Sequence, residues 1–334
     1  MNTKWRRIII LFLVFLTLFF LYRHYQQETP VPHEPKMAKP TPEETNQSKQ
    51  PQFLITNTEG QVFDHLTFQV FNQKEEFRFE KKSGGWWMIF PVEHPAVSST
   101  VAGLVNLLTA TERIKPFKIS KDHFLNNYGF DDPALRICTK TGHQAVEKCL
   151  LVGDHNPLNY TSYAHFEDEQ DIFLIPDSFR DTFQNQSRYA LLRKQIFPYA
   201  LREGVGVTVQ RAELQMELKK VGDLWQVTVP IEKKIDAGSV DKLLNLLNNL
   251  YIREFEFNSD WHDPAFGFDA SEPVFIRLTF ADGSHETIYF GKDVPGLFAY
   301  QARFEKLPYA AQISKDKVDE IFTLCSELLF RKLI

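Results

Sequence analysis

The sequence predicts an α+β protein made of two tandem homologous repeats, each a mainly antiparallel sheet with flanking helices, after one transmembrane helix. Three observations support this prediction: an apolar run near the N-terminus, a proline-rich stretch that follows it, and self-similarity throughout the remaining chain. They divide the chain into an anchor at residues 1–25, a tether at 26–61, a first repeat at 62–198 and a second repeat at 199–334.

The N-terminal apolar run is Ile8–Tyr22, preceded by Lys4, Arg6 and Arg7 and followed by Arg23. As a helix it spans roughly 22 Å, and the flanking aromatic and basic side chains can cover the rest of the ~30 Å hydrocarbon core. No small-residue cleavage pattern follows the run, which favours an uncleaved anchor over a secretory signal peptide. Because more basic charge precedes the run than follows it, we expect a single-pass protein of the bacterial inner membrane, with a cytoplasmic N-terminus and a periplasmic body.

The stretch Gln26–Gln52 contains six prolines and almost no large apolar side chains. Such a composition cannot bury a core, so it predicts a semi-extended tether between the bilayer and the folded body.

The body shows an internal duplication. A shift of 139 residues places Trp86 on Trp225, and a shift of 138 places the sequence Gly-Phe-Asp at 129–131 on the same sequence at 267–269. Further matched pairs are Pro91 with Pro230, Leu104 with Leu243, Leu108 with Leu247 and Gly153 with Gly291. The order and number of these pairs predict two copies of one fold.

Each copy has the same predicted plan. Segments such as "LTFQVF" and "VGVTVQ" alternate apolar and polar residues, which is typical of strands. Apolar residues at three- and four-residue steps predict helices at residues 98–113 and 237–255, and a closing helix at 178–192 or 315–330. Trp86 and Trp225 lie beside strand hydrophobes and are predicted to be core residues rather than a ligand-stacking pair.

The repeated Gly-Phe-Asp sequence raises the question of a catalytic or metal site. Such a site needs further ligands or an acid–base partner. The nearest candidates in the first copy are Asp122, His123, Asp132, Asp154 and His155. In the second copy Lys292 and Asp293 replace Asp154 and His155, so no set of candidates occurs in both copies. We therefore interpret the motif as turn structure, in which glycine supplies an unusual backbone angle and Asp131 or Asp269 caps the turn.

Composition and motifs assign no other chemistry. A net charge of -5 argues against a nucleic-acid-binding protein. The acidic stretch Asp168, Glu169 and Asp171 lacks the spacing of a calcium loop and is interpreted as a solvated loop. No phosphate loop, nucleophile elbow or zinc motif occurs in the sequence. We assign no catalytic, cofactor-binding or metal residue and no cofactor, and we predict a protein that is not an enzyme.

The three cysteines are too few for a disulfide scaffold. Cys138 and Cys149 lie on consecutive predicted strands and could face each other across the hairpin. Two buried free thiols are favoured, and a disulfide remains the alternative because the strand register is not known. Cys325, on the last helix, is predicted to be buried and unpaired.

The segments "GGWWMIFP", "YGFDDP" and "LLVGDHNP" resemble the bacterial domain of unknown function 4340 (DUF4340) family, and the resemblance extends over residues 62–334. The second copy departs from the family pattern at Phe266, Lys292 and Pro273. The resemblance implies an envelope accessory role, because members are often encoded beside ABC-type transport systems similar to those of gliding motility.

We therefore expect a non-enzymatic, membrane-anchored periplasmic scaffold that docks on an ABC-type or gliding-motility-like envelope complex. Its expected partners are the lipid bilayer and proteins of that complex, without nucleic acid. The alternative is a periplasmic ligand-binding or hydrolytic protein with a site in the cleft between the repeats. Converging titratable groups in that cleft favour the alternative, whereas an apolar, uncharged surface patch favours docking.

Overall fold

The computed structural model describes residues 51–55, 63–118, 127–141, 147–258, 260, 262–268 and 272–330. All of them belong to one compact unit that begins at Pro51. Within these ranges no helix is both long and apolar enough to cross a membrane. The predicted anchor at residues 8–22 lies outside the described residues.

The first half of the body forms a nine-stranded antiparallel sheet in the order β4-β3-β2-β1-β6-β7-β8-β9-β5. Its strands are β1 (Phe63–Val70), β2 (Glu75–Lys82), β3 (Gly85–Phe90), β4 (His94–Pro95), β5 (Ile114–Lys118), β6 (Leu135–Thr141), β7 (Lys148–Asn156), β8 (Thr161–Phe166) and β9 (Asp171–Pro176).

The second half forms a nine-stranded antiparallel sheet in the order β13-β12-β11-β10-β15-β16-β17-β18-β14, which is the same order as in the first. Its strands are β10 (Gly204–Arg211), β11 (Leu214–Val221), β12 (Leu224–Val229), β13 (Lys233–Ile235), β14 (Ile252–Glu256), β15 (Val274–Phe280), β16 (His285–Val294), β17 (Ala299–Phe304) and β18 (Ala310–Ser314). The predicted α+β class with antiparallel sheets is confirmed.

Six α-helices flank the sheets in the described part of the chain. They are α1 (Ser98–Ala110), α2 (Asp177–Gln184), α3 (Arg188–Leu191), α4 (Ala200–Glu203), α5 (Ala237–Asn248) and α6 (Lys315–Phe330). The predicted apolar stripe of α1 is confirmed, because it buries Val101, Leu104, Val105 and Leu108.

Three helix predictions differ from the structure. The helix predicted at 98–113 ends at Ala110. Residues 252–255, the end of the helix predicted at 237–255, lie in β14, because this strand pairs with β18 and buries Ile252 and Phe255. The closing helix at 178–192 divides into α2 and α3, because the Ser187 hydroxyl accepts a hydrogen bond from the Ala190 N–H at 3.3 Å and begins a new helix.

The two sheets are joined by residues 191–199, the connecting segment, which runs from the last residue of α3 to the start of α4. On one side it forms hydrogen bonds with the β4 edge, and on the other with the chain that leads into β14. These bonds are Val97 N–H to Leu191 O (2.8 Å), Arg193 N–H to Pro95 O (2.9 Å), Ile196 N–H to Leu250 O (3.0 Å) and Ile252 N–H to Lys194 O (2.8 Å). The segment therefore fixes the position of each sheet relative to the other and forms the floor of the cleft between them.

The start of the body shows an equivalent arrangement. Leu54 is fully buried, its N–H donates to Thr111 O at 2.8 Å, and the Arg113 N–H donates to Gln52 O at 2.7 Å. Residues 51–55 thus pair beside β5 as residues 194–196 pair beside β14. The structured body consequently begins inside the range 26–61 predicted as tether.

Cys138 and Cys149 are joined in a disulfide, so the favoured interpretation as two free thiols was wrong. They lie directly opposite each other on β6 and β7, with their Cα atoms 4.1 Å apart. Such closeness is typical of the narrow pairs of an antiparallel ladder, which bring facing side chains together. Cys325 is buried and free, as predicted.

Replacing both Cys138 and Cys149 by alanine is expected to lower the free energy of unfolding by about 2–3 kcal/mol, because the bond closes a short loop in the unfolded chain. Denaturant titration checks the loss, and reductant should have no further effect on the variant. Alkylation of the wild-type chain, denatured without reductant, should modify only Cys325. Three reactive thiols before reduction would contradict the disulfide.

Candidate functional site

The polar residues considered for a Gly-Phe-Asp site do not assemble into one. Asp131 and Asp132 are exposed, and Asp131 accepts no hydrogen bond from the residues that the structure describes, so the predicted cap is not observed there. On β7, His155 pairs instead with Asp177 at the start of α2, at 2.8 Å. Asp122, His123 and Asp269 lie outside the described residues.

The second half has an ion pair at the matching positions, with the charges reversed. Asp293 on β16 takes the place of His155, and Lys315 at the start of α6 takes the place of Asp177. The two halves thus keep an ion pair at these positions although the charges are exchanged. Such a pair links the strand to the helix and does not supply one particular chemical group.

The glycine of the motif has the predicted turn role. Gly129 and Gly267 both have φ +75°, a left-handed conformation that favours glycine. Each turn packs on a second glycine, Gly153 on β7 or Gly291 on β16, where an added Cβ would lie 2.0 Å from the carbonyl oxygen of Tyr128 or Phe266. The motif therefore closes the turn tightly against its strand in both halves.

Gly153→Ala and Gly291→Ala are each expected to destabilise the protein by about 1–3 kcal/mol, because a backbone carbonyl cannot rotate away from the new methyl group. Thermal melting checks this. Gly103→Ala is the matched control, because that glycine lies in α1 with no atom within 4 Å of the added Cβ. Unchanged melting of Gly153→Ala would show that the turn is free to move away.

Two other polar clusters also have structural roles. Glu169 is not merely solvated: it binds the Arg113 guanidinium through both oxygens, at 2.5 and 3.1 Å, and Lys148 at 3.0 Å. Burial opposes its ionisation, but the hydrogen bonds from the two cations leave the pKa of Glu169 below its ordinary value. Glu147 lies near the sulfurs of Cys138 and Cys149, which are bonded to each other and offer no thiolate to a metal.

The cleft between the two sheets contains a cavity of about 250 Å³. Its walls come from β3 and β4 of the first sheet, from the connecting segment, and from β14, β16 and β17 of the second. The cavity brings together residues that are far apart in sequence, and none of them was proposed as a site residue from the sequence alone.

A cation and an anion face this cavity without forming an ion pair. Arg193 lies on the connecting segment, where its backbone is fixed by the hydrogen bond to Pro95. Its Nε is buried and makes no hydrogen bond within the described residues. Across the cavity, Oε2 of Glu286 on β16 is equally buried and unpartnered within the same ranges.

The pKa values of both groups reflect this burial. Burial lowers the pKa of Arg193, partly offset by the charge of Glu286. Burial also raises the pKa of Glu286, and the charges of Arg193 and Lys306 oppose that rise. Each charge therefore influences the other across the cavity, but neither satisfies the other's hydrogen bonds.

His94 supports the floor of the cavity. Its Nε2 lies 2.7 Å from the Arg193 carbonyl oxygen, so Nε2 carries the proton, and its Nδ1 accepts from the Tyr309 hydroxyl. Burial lowers the pKa of His94 to about 4, which leaves the ring neutral at neutral pH. With both nitrogens engaged, His94 positions Arg193 and is not a free general base.

Aromatic side chains line the remaining walls: Trp87 on β3, Phe197 and Tyr199 on the connecting segment, and Phe304 on β17. Such walls lower the local dielectric and so strengthen any charge-assisted hydrogen bond made at Arg193 or Glu286. The arrangement is suited to holding a small polar molecule. The arginine shared by "LLRKQI" (191–196) and "LFRKLI" (329–334) is a sequence signal that could have drawn attention to Arg193.

Each half also presents an exposed aromatic residue at a hairpin tip. Tyr160, between β7 and β8, is 86% exposed, and Phe298, between β16 and β17, is 83% exposed. Both have the left-handed backbone conformation, with φ 51° and 47°. Their carbonyl oxygens accept the first N–H of α2 and of α6, at 3.0 and 2.9 Å. Folding alone would favour glycine or asparagine at such a position.

Comparison with known proteins identifies the family of the chain. No curated protein and no solved structure matches it. The family model for the domain of unknown function DUF4340 matches residues 86–271, from β3 to the residues before β15, and thus includes the connecting segment and Arg193. Since this match covers more than half of the sequence, the chain belongs to the DUF4340 family.

Proposed function

We propose that this protein is a non-enzymatic binding module that holds a small polar ligand in the cleft between its two sheets. The observation that carries the proposal is that Arg193 and Glu286 line one cavity and form no ion pair with each other. Each has one buried side-chain atom, Nε of Arg193 and Oε2 of Glu286, that makes no hydrogen bond within the described residues. In the compartment that the sequence predicts, the cleft would face the periplasm behind a membrane anchor.

The energetic cost of these groups supports binding. A buried polar atom without a partner costs about 1–3 kcal/mol, and more when it is charged. Two apolar residues of similar size at positions 193 and 286 would avoid this cost and join the halves equally well. A ligand that forms hydrogen bonds with both Arg193 and Glu286 would explain why the protein has these two charges in the cleft.

The test is native mass spectrometry of the full chain, extracted in mild detergent from its own membranes. We expect a small-molecule adduct that is lost in Arg193→Met. The matched control is Lys242→Met, which removes an exposed cation on α5 that does not line the cavity. The proposal fails if the wild-type chain carries no adduct and no compound of a chemically mixed fragment library raises its melting temperature.

A second candidate function is docking on an envelope complex, and the hairpin tips favour it. Two exposed aromatic residues at matching positions are each held in a backbone conformation that costs about 1–3 kcal/mol, which indicates a role other than folding. A photo-crosslinking amino acid at position 160 and at position 298 should yield the same protein adduct. The same probe at Leu224, which is 57% exposed on β12, should not. Different adducts at the two tips, or none, would contradict docking.

A further inference from the structure

We infer that the cleft takes a zwitterion: a free amino acid whose carboxylate binds Arg193 and whose ammonium group binds Glu286. This inference rests on the proposed function and adds the chemical class of the ligand. Its basis is the arrangement of charges, the size of the cavity and the nature of its walls.

The charges on the cavity balance in number but are separated in space. Arg193 and Glu286 contribute one cation and one anion that are not paired with each other. At the rim, Glu305 pairs with His285 at 3.3 Å, and Lys306 donates to the His285 carbonyl oxygen at 3.2 Å. Glu305 is thus paired within the protein, and Lys306 is an exposed cation bonded to a carbonyl oxygen. Arg193 and Glu286 are the charged groups whose buried atoms have no partner within the described residues.

A ligand of one charge sign would satisfy one inner group and repel the other. An anion on Arg193 would lie in the field of Glu286, and a cation on Glu286 would lie in that of Arg193. A dipolar ligand places each of its charges beside the opposite charge of the protein and displaces no existing ion pair. Guanidinium suits the carboxylate end, because its planar fork matches two carboxylate oxygens.

The size of the cavity and the residues of its walls further restrict the chemical class of the ligand. A cavity of about 250 Å³ lies just below the usual range of roughly 300–1,000 Å³ for drug-sized ligands. A single amino acid is the appropriate scale. Trp87, Phe197 and Phe304 surround the space beside the two charges, so they offer contacts to an apolar side chain.

The experiment is isothermal titration calorimetry on the full chain in detergent. The probes are L-phenylalanine, L-leucine, L-alanine and glycine, with 3-phenylpropionate as the carboxylate alone and 2-phenylethylamine as the ammonium alone. We expect at least one amino acid to bind. L-Phenylalanine should bind about 10- to 100-fold more tightly than either of its one-charge analogues, because each analogue leaves one buried charge unsatisfied.

Two variants test which protein group binds the carboxylate of the ligand and which binds its ammonium group. Arg193→Lys keeps the charge but not the fork and should weaken amino-acid binding about tenfold, and Glu286→Gln should weaken it similarly. Glu213→Gln, an exposed hairpin residue, is the matched control and should bind as the wild type does. Circular dichroism and melting temperature check that each variant is folded. If a variant does not fold, the comparison of L-phenylalanine with its one-charge analogues on the wild-type chain still tests the inference.

The outcomes separate this inference from the proposed function. Equal binding of 3-phenylpropionate and L-phenylalanine would overturn the zwitterion in favour of an anion, and equal binding of 2-phenylethylamine would overturn it in favour of a cation. If no amino acid binds but the native chain carries an Arg193-dependent adduct, the ligand class is wrong and the binding function stands. If there is neither binding nor an adduct, both are wrong.

Discussion

Replacing Trp86 or Trp225 by alanine is expected to lower the free energy of unfolding by about 3–5 kcal/mol in each case. The two side chains are only 5% and 8% exposed and belong to the core. Trp86 on β3 is held from both sides, because its N–H donates to the Ser98 hydroxyl at 3.0 Å and its carbonyl accepts the Ala96 N–H at 2.8 Å. The surrounding strand therefore cannot collapse into the space that the ring leaves.

Denaturant titration of both variants measures these losses. The matched control is Asp131→Asn, an exposed change in the repeated motif that should alter stability by no more than about 0.5 kcal/mol. A large loss for Trp86→Ala together with a small loss for Trp225→Ala would contradict equivalent cores in the two halves. A large loss for Asp131→Asn would show that the negative charge of Asp131 has a structural role, because asparagine keeps the oxygen that a turn cap requires.

Local patterns in the sequence were sufficient to predict many of the strands and helices of the fold. Alternation predicted strands such as β1 and β10, and three- and four-residue spacing predicted α1 and α5. The same spacing continued past the end of α5 and wrongly predicted helix for residues 252–255. Their pairing with β18 and with the connecting segment is non-local, and such contacts override a local pattern.

The candidate site could not be predicted in the same way. Arg193 follows a short helix and Glu286 alternates along a strand, so both resemble ordinary surface residues in the sequence. They face one cavity only because the connecting segment pairs with both sheet edges. The disulfide has a similar explanation: Cys138 and Cys149 face each other through a strand register that the sequence alone does not specify.

His94 is expected to make the protein sensitive to acid. Burial lowers its pKa to about 4, below the ordinary value of 6.5. Below pH 6.5 the unfolded chain therefore binds a proton that the folded chain still rejects, and stability falls with pH until about pH 4. The expected loss between pH 7.5 and pH 4 is about 3 kcal/mol. Burial raises the pKa of Glu286, which acts in the opposite direction and partly hides this loss in the wild-type curve.

The difference between wild type and His94→Gln isolates this effect, because glutamine can still donate to the Arg193 carbonyl and accept from the Tyr309 hydroxyl but does not titrate. Denaturant titrations across the same pH range should show that wild type loses about 3 kcal/mol more than the variant. Parallel curves for wild type and His94→Gln would show that the contact between the two halves accommodates a charged imidazole. His94 would then not be the neutral support that positions Arg193 in the cleft.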